Sequence, residues 1–113
     1  MVKRVTIFSL PKGTDQEKFW EYHTKGHAAD VMKYSGPGRR RYVINRVTKV
    51  LEGKQDFFGI IETWWDTRKD MDRDMETFKK TILPNGKSIF DDFASRIIPD
   101  IVCEVEEYGV KGF

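Results

Sequence analysis

Four β-prone segments alternate with helical segments along the chain, and this order limits the folds that are open to it. Glycine and proline mark the boundaries, because proline has no amide donor and glycine favours turns. Strands are predicted over residues 2–10, 39–51, 56–66 and 101–105, and helices from residue 14 or 15 to about 35, from 67 to about 81, and over 88–98. A short hairpin-like connection is expected at 52–55. The resulting order is βαββα(α)β.

Two βαβ units with right-handed crossovers predict a ferredoxin-like α+β protomer, with a four-stranded antiparallel sheet and helices on one face. The 113 residues have room for one hydrophobic core, so a single domain over 1–113 is expected. In the third strand, Ile61 and Trp65 alternate with Ile60 and Trp64, so both faces of the sheet are apolar. Exposing such side chains costs roughly 1.5–3 kcal/mol each. We therefore predict a homodimer packed through its sheet faces; a monomer with a few exposed aromatics is the alternative.

Composition and charge exclude several classes of protein. Twenty Lys and Arg against 18 Asp and Glu give a net charge of +2, so binding to nucleic acid would need a local basic patch. The run 39–41 of three arginines is interpreted as a solvated entry to a strand, and no nucleic-acid partner is expected; Arg41 or Arg46 as a contact for an anionic substrate is left open. No apolar run approaches the ~20 residues that span a bilayer, so no membrane association is expected. A single Cys and the absence of a secretory leader predict a cytoplasmic protein.

Both histidines of the chain fall on one side of the first predicted helix. At ~100° per residue, His23 and His27 share a ~120° sector with Trp20, Val31 and Tyr34, and this sector is expected to face the sheet. An imidazole there is partly desolvated, and its unperturbed pKa of ~6.5 is easily moved. The i, i+4 spacing also suits a shared metal ion, but the zinc-protease glutamate is missing and no third ligand is obvious. We predict no metal and no cofactor, with haem ligation by one histidine as an alternative.

Several short motifs carry a resemblance to a known family. They are Pro11-Lys12, Phe19 placed eight residues before His27, Gly36-Pro37-Gly38 leading into Arg40-Arg41-Tyr42-Val43, and Glu62-Thr63-Trp64-Trp65-Asp66. In order and spacing, over nearly the whole chain, they resemble the EthD-like branch of the dimeric α+β-barrel proteins. The resemblance implies a ferredoxin-like protomer, a back-to-back dimer and a small-molecule cavity between the sheet and the helices. The family includes a methylmuconolactone isomerase, fungal decarboxylases of polyketide pathways and members with no assigned activity.

The resemblance also assigns roles to individual residues. His27 matches the histidine that the family commonly keeps, and Tyr42 matches a tyrosine that lines the pocket of isomerase-like members. His23 stands where many relatives have an aromatic residue, so it adds a second titratable group. Thr63 falls where an isomerase-like member has a cysteine, so thiol chemistry is not expected.

Other side chains complete the candidate site. Phe19, Trp20, Tyr34 and Trp65 are expected to form an aromatic lining that favours a flat, largely apolar substrate. Glu62 is a further candidate acid or base. Because side chains alternate along a strand, only one of Glu62 and Thr63 faces the helices, and the sequence leaves open which one.

These residues suit proton-transfer chemistry. His27 acts as general base or acid, Tyr42 donates a hydrogen bond to a developing oxyanion, and His23 assists. The sequence therefore predicts a cofactor-independent lyase or isomerase, of the decarboxylase, dehydratase or cyclase type, acting on a small aromatic, polyketide-like or lactone substrate. The alternatives are a haem-binding or oxygen-using enzyme on the same scaffold and a non-catalytic accessory protein that binds a small ligand.

Overall fold

The computed structural model describes residues 1–111 of the chain. Its strands β1 (Val2–Ser9), β2 (Arg39–Arg46), β3 (Gly59–Trp65) and β4 (Ile98–Val105) form a four-stranded sheet in the order β2-β3-β1-β4. All three neighbouring pairs of strands are antiparallel. The helices are α1 (Gln16–Glu21), a π-helical segment (Tyr22–His27), α2 (Ala28–Tyr34), α3 (Arg68–Lys80) and α4 (Ile89–Ala94). The predicted α+β class and element order are confirmed.

The first helix runs through α1, the π-helical segment and α2 without a break. Asp15 caps its start, where the side chain accepts a hydrogen bond of 3.0 Å from the Lys18 amide. In the middle, the Ala28 N–H donates to the His23 carbonyl five residues back, which widens the turn. The helix ends at Tyr34, because Ser35 is extended and proline follows two residues later.

Several predicted boundaries are wrong. β2 ends at Arg46 rather than residue 51, and β3 begins at Gly59 rather than 56, so the connection runs from 47 to 58. The Val47 amide makes a last ladder bond of 2.8 Å to the Phe58 carbonyl, and residues 48–56 beyond it are exposed. β4 starts at Ile98 instead of 101 because Pro99 pairs with Phe8 at a register shift, which an edge strand tolerates.

The two faces of the sheet have different neighbours. One face packs on the helices, with a core cluster of Phe8, Phe19, Phe58 and Phe93 and a second of Val31, Phe78 and Ile89. The other face carries the cross-strand rows Val43–Glu62–Val5–Cys103 and Asn45–Ile60–Ile7–Ile101. Within residues 1–111, no helix is long and apolar enough to cross a bilayer.

Candidate functional site

A cavity of about 170 Å³ lies between the sheet and the helices and is partly open to solvent. Strand side chains form its floor, and helix side chains form its walls. It is lined by Arg4, Thr6, His27, Val31, Arg39, Tyr42, Ile61, Thr63, Trp65, Met75, Phe78, Ile89, Phe90, Phe93, Ala94, Ile97, Pro99 and Val102. Since an apolar cavity of ~150 Å³ can hold benzene, this one has room for a single small ring.

The two histidines occupy different positions relative to this cavity. His27 lines it, is 9% exposed, and stacks on Phe93 with ring centroids 4.2 Å apart and planes 16° apart. His23 lies one turn earlier, is 0% exposed, and sits 5.7 Å from the His27 ring and 4.6 Å from Phe93. Within residues 1–111, neither ring nitrogen of His23 has a hydrogen-bond partner. His23 is therefore behind the cavity wall, in contact with the imidazole that reaches the cavity.

Burial keeps both imidazoles neutral. It lowers the pKa of His27 to about 4; the nearby charge of Asp92 opposes this shift, and Arg39 and Arg96 add to it. Burial also lowers the pKa of His23 to about 3, with a smaller contribution from His27. At neutral pH both rings are uncharged, so His27 can accept a proton at one ring nitrogen and is not an imidazolium acid.

A buried carboxylate holds a second ring that stacks on His27. Asp92 accepts hydrogen bonds of 2.7 Å from the Tyr22 hydroxyl and 2.9 Å from Asn85, and a contact of 3.3 Å from Arg96. The Tyr22 ring in turn stacks on His27 at 6.1 Å. Burial alone would raise the pKa of Asp92, but these bonds and the Arg96 charge lower it overall. Asp92 therefore stays anionic and fixes Tyr22 against the imidazole.

Tyr42 enters the cavity floor from β2, opposite Thr63 of β3. Burial raises the pKa of Tyr42 to about 12, although the charge of Arg39 opposes the shift. The phenol therefore keeps its proton at neutral pH and is a hydrogen-bond donor.

Arg39 is the site residue whose role the sequence did not indicate. Its side chain is 5% exposed and lines the cavity, with the guanidinium 4.7 Å from the Trp65 ring and 5.2 Å from the Tyr42 ring. The guanidinium donates a bond of 2.7 Å from Nη1 to the Thr63 hydroxyl. The buried carboxylate of Asp74 lies 3.7 Å from Nε, close enough for charge attraction.

The interpretation of residues 39–41 as a solvated strand entry is wrong for Arg39, and the cause is a bulge. Arg39 pairs with Trp65 while Arg41 pairs with Trp64, so one residue of β2 is extra. Adjacent residues of β3 point to opposite faces, and Arg39 and Arg41 therefore do so too. Strict alternation would place them on one face, which is why the sequence pattern could not locate Arg39 beside Tyr42.

Of the predicted lining residues, the structure places Thr63 and Trp65 at the cavity. Thr63 faces the helices and Glu62 faces away from them, which answers the question that the sequence left open. Glu62 lies on the other face of the sheet, 3.1 Å from the Lys3 ammonium, and accepts a bond of 3.0 Å from Asn45.

The structure does not bring the other predicted aromatic residues to the cavity. Phe19 is in the core cluster next to His23, with ring centroids 5.7 Å apart, and Trp20 packs on Phe58 at 6.5 Å. Tyr34 is 37% exposed at the end of α2. The π-helical segment follows both Phe19 and Trp20, and a wheel of constant pitch does not represent such a turn.

The side chains at the cavity do not fit the ligation of a metal ion or haem. Within residues 1–111, no three His, Cys, Asp or Glu side chains cluster in a way that could hold a metal ion. His23 is enclosed by Phe8, Phe19 and Phe93, so only His27 could present a nitrogen to a ligand in the cavity. The cavity is also smaller than the ~300–1,000 Å³ of typical ligand pockets, and a porphyrin does not fit it in this conformation.

The fold and the cavity define an α+β protein in which one antiparallel sheet and its helices enclose a small cavity. Solved structures share this fold. An EthD family protein from Bacillus halodurans is 20% identical, with a TM-score of 0.65, and the match covers 96% of this chain and 99% of that one. HapK from Hahella chejuensis is 15% identical (TM-score 0.69; 100% and 97% covered), and an EthD-like protein from Ralstonia eutropha is 16% identical (TM-score 0.67; 93% and 89% covered). No family model and no curated protein matches the sequence. At these identities the likeness establishes the shared fold.

Proposed function

We propose that this chain is an EthD-like enzyme, a lyase or isomerase without a cofactor, in which His27 is the general base and Tyr42 stabilises the developing oxyanion. One observation carries the proposal: a neutral imidazole and a protonated phenol line the same small cavity. The base removes a proton from carbon next to a carbonyl, and the phenol donates to the carbonyl oxygen as it becomes an enolate. The apolar walls favour a small aromatic or lactone substrate.

The neighbours of these two groups support the assignment. Phe93 and Tyr22 both stack on the His27 ring, and His23 packs against it as an assisting neighbour. Thr63 and Trp65 are the proposed contacts for the substrate. Because His27 is neutral, the resting site is ready to accept a proton, and the protonated ring can return that proton to another atom of the substrate. This cycle accounts for isomerisation as well as elimination.

Isotope exchange tests the proposal without knowledge of the natural substrate. A panel of small aromatic ketones, β-keto acids and lactones is incubated with the protein in D2O, and loss of the α-proton signal is followed by ¹H NMR. We expect exchange with at least one compound class and a drop of ~10² fold or more in His27→Ala. Lys25→Ala, in the same helical turn but exposed, is the matched control and should exchange at the original rate. Ligand binding without any exchange would favour an accessory binding protein, and unchanged exchange in His27→Ala would refute the assigned base.

We also propose that two copies of the chain pack through their open sheet faces. Ile101 is 50% exposed in the row Asn45–Ile60–Ile7–Ile101, and exposed apolar surface of this kind marks interfaces. Sedimentation at micromolar concentration should give a dimer, and Ile101→Asp should give a folded monomer. Leu51→Asp, in the connection at 47–58, is the control and should remain dimeric. A monomeric unmodified protein would refute the proposal.

A further inference from the structure

The charge of the cavity lining is one-sided. Among the lining residues within 1–111, Arg4 and Arg39 are cationic and there is no Asp or Glu. The two arginines flank one point of the floor: Arg4 is opposite Thr63 in the β1–β3 pairing, and Arg39 donates to the Thr63 hydroxyl. Since His27 is neutral, the lining residues carry a net positive charge.

Asp74 leaves Arg39 without a full set of hydrogen bonds, because both carboxylate oxygens accept hydrogen bonds from other groups. Oδ1 accepts a bond of 2.8 Å from the Gly36 amide, and Oδ2 accepts one of 2.9 Å from the Trp65 indole. The Nε of Arg39 lies 3.7 Å from Oδ2, beyond hydrogen-bond distance, and within residues 1–111 this buried nitrogen has no partner. A guanidinium has five N–H donors, so Arg39 keeps hydrogen-bonding capacity beside the cavity.

Within residues 1–111, the Arg4 guanidinium forms no hydrogen bond or ion pair, and Glu104 attracts it only at longer range. Glu104 lies opposite Arg4 on β4, but Nη1 and Nη2 of Arg68 both donate to the Glu104 carboxylate. Burying a charged group without a full complement of hydrogen bonds is costly, so the unpartnered nitrogen of Arg39, with the half-buried Arg4 beside it, indicates that a further anion completes the site.

We propose that the cavity binds its substrate as an organic monoanion, with a carboxylate held at Arg39 and Arg4 and a single planar ring against Phe93 and Trp65. This inference rests on the proposed function and specifies its substrate class. A planar carboxylate matches the fork of a guanidinium, and a doubly charged phosphate ester would lose more solvation on entering a cavity of about 170 Å³. The ring then lies under His27, which stacks on Phe93 at 4.2 Å. The carboxylate would therefore anchor the substrate at the floor while the imidazole acts from the wall.

Calorimetry with benzoate, benzamide and phenyl phosphate tests the proposal on the intact protein. Benzoate and benzamide have the same shape and differ in charge, so we expect benzoate to bind ~10-fold more tightly or better. Arg39→Gln should remove most of the preference for benzoate over benzamide, with Arg4 retaining the rest, and Arg39→Lys should recover part of the loss because it restores the charge without the fork. Arg40→Gln is the matched control, since Arg40 is exposed and pairs with Asp66. It should bind benzoate as the unmodified protein does.

The outcomes separate this inference from the proposed reaction. Equal or weaker binding of benzoate than benzamide, no binding of either at millimolar concentration, or a preference for phenyl phosphate would each overturn the inference. If Arg39→Gln fails to fold, the ratio of the affinities for benzoate and benzamide in the unmodified protein still tests whether the cavity prefers an anion. Carboxylate binding by the unmodified protein with no isotope exchange would reject the catalytic proposal alone. Exchange of neutral ketones with no affinity for benzoate would reject the carboxylate site alone.

Discussion

Replacing His23 by leucine should make the protein more stable and less active. The imidazole is 0% exposed, and within residues 1–111 neither nitrogen has a hydrogen-bond partner. A buried polar atom without a partner costs ~1–3 kcal/mol. Leucine has a similar volume and no polar atom, but it loses the contact with Phe93 at 4.6 Å, which is worth ~0.5–1.5 kcal/mol. With two such nitrogens set against the lost aromatic contact, the expected net gain at pH 7 is about 1–5 kcal/mol in the free energy of unfolding.

The stability that His23→Leu gains over the unmodified protein should grow as the pH falls. The pKa of His23 in the folded protein is about 3, well below the ordinary value of 6.5, so below pH 6.5 the unfolded chain takes up a proton that the folded one does not. Stability is therefore lost on acidification. Proton uptake by His23 in the unfolded chain lowers the free energy of unfolding by about 2 kcal/mol between pH 7 and pH 5. His27, whose folded pKa is about 4, contributes a similar loss. Carboxylates contribute little in this window, because they titrate at lower pH in the unfolded chain.

Urea unfolding at pH 7, 6 and 5, followed by tryptophan fluorescence at one protein concentration, measures both effects. The unmodified protein should lose about 4 kcal/mol from pH 7 to pH 5, and His23→Leu about half of that, with the remainder due to His27. Equal losses in the two proteins, or destabilisation of His23→Leu at pH 7, would refute the reasoning. A decrease in isotope exchange in the stabilised variant would assign the imidazole to function, because a costly buried group is retained where activity needs it.

Three further substitutions test the site and its support. Tyr42→Phe should lower exchange by ~10² fold with less than ~1 kcal/mol change in stability, measured by NMR and urea unfolding; an unaffected rate would reject the phenol as donor. Gly59→Ala should destabilise by ~2 kcal/mol or more in urea, because an added Cβ would lie 2.5 Å from the Phe8 ring. Asp74→Asn should cost ~3 kcal/mol, since it removes the carboxylate next to Arg39, and a smaller loss in thermal unfolding would show that solvent reaches the guanidinium.

Element order was predictable because each boundary has a local chemical cause. The Asp15 cap and the Ser35 stop were both within a residue of their predicted places, since capping and proline act over a few residues. The ends of β2 and β3 were not predictable in the same way. A strand ends where its partner ends, and the connection at 47–58 contains β-prone residues such as Val50 that no neighbouring strand pairs with.

In the candidate site, too, features with a local cause were predictable and features that depend on tertiary packing were not. A helical wheel was enough to place His23 and His27 on the inward side, because burial of one helix face is a periodic property. It could not show that only His27 reaches the cavity, since that depends on where Phe93 of α4 packs. Arg39 was missed for a different reason: the bulge in β2 reverses the face of every residue before it, and no residue type in the run of three arginines indicates a bulge.

The neutral base and the incompletely paired cation have one physical origin. Exclusion of water by α4 and the long helix lowers the pKa of His27, whereas a guanidinium with its far higher pKa keeps its charge in the same surroundings. The charge of Arg39 itself contributes to the low pKa of His27. A carboxylate bound at Arg39 would cancel that contribution, so occupancy of the proposed anion site should raise the pKa of His27 and make it a stronger base only when substrate is present. Titration of the His27 ring protons by NMR should then show a higher pKa with benzoate than without it, and an unchanged pKa with benzoate bound would show that the two groups act independently.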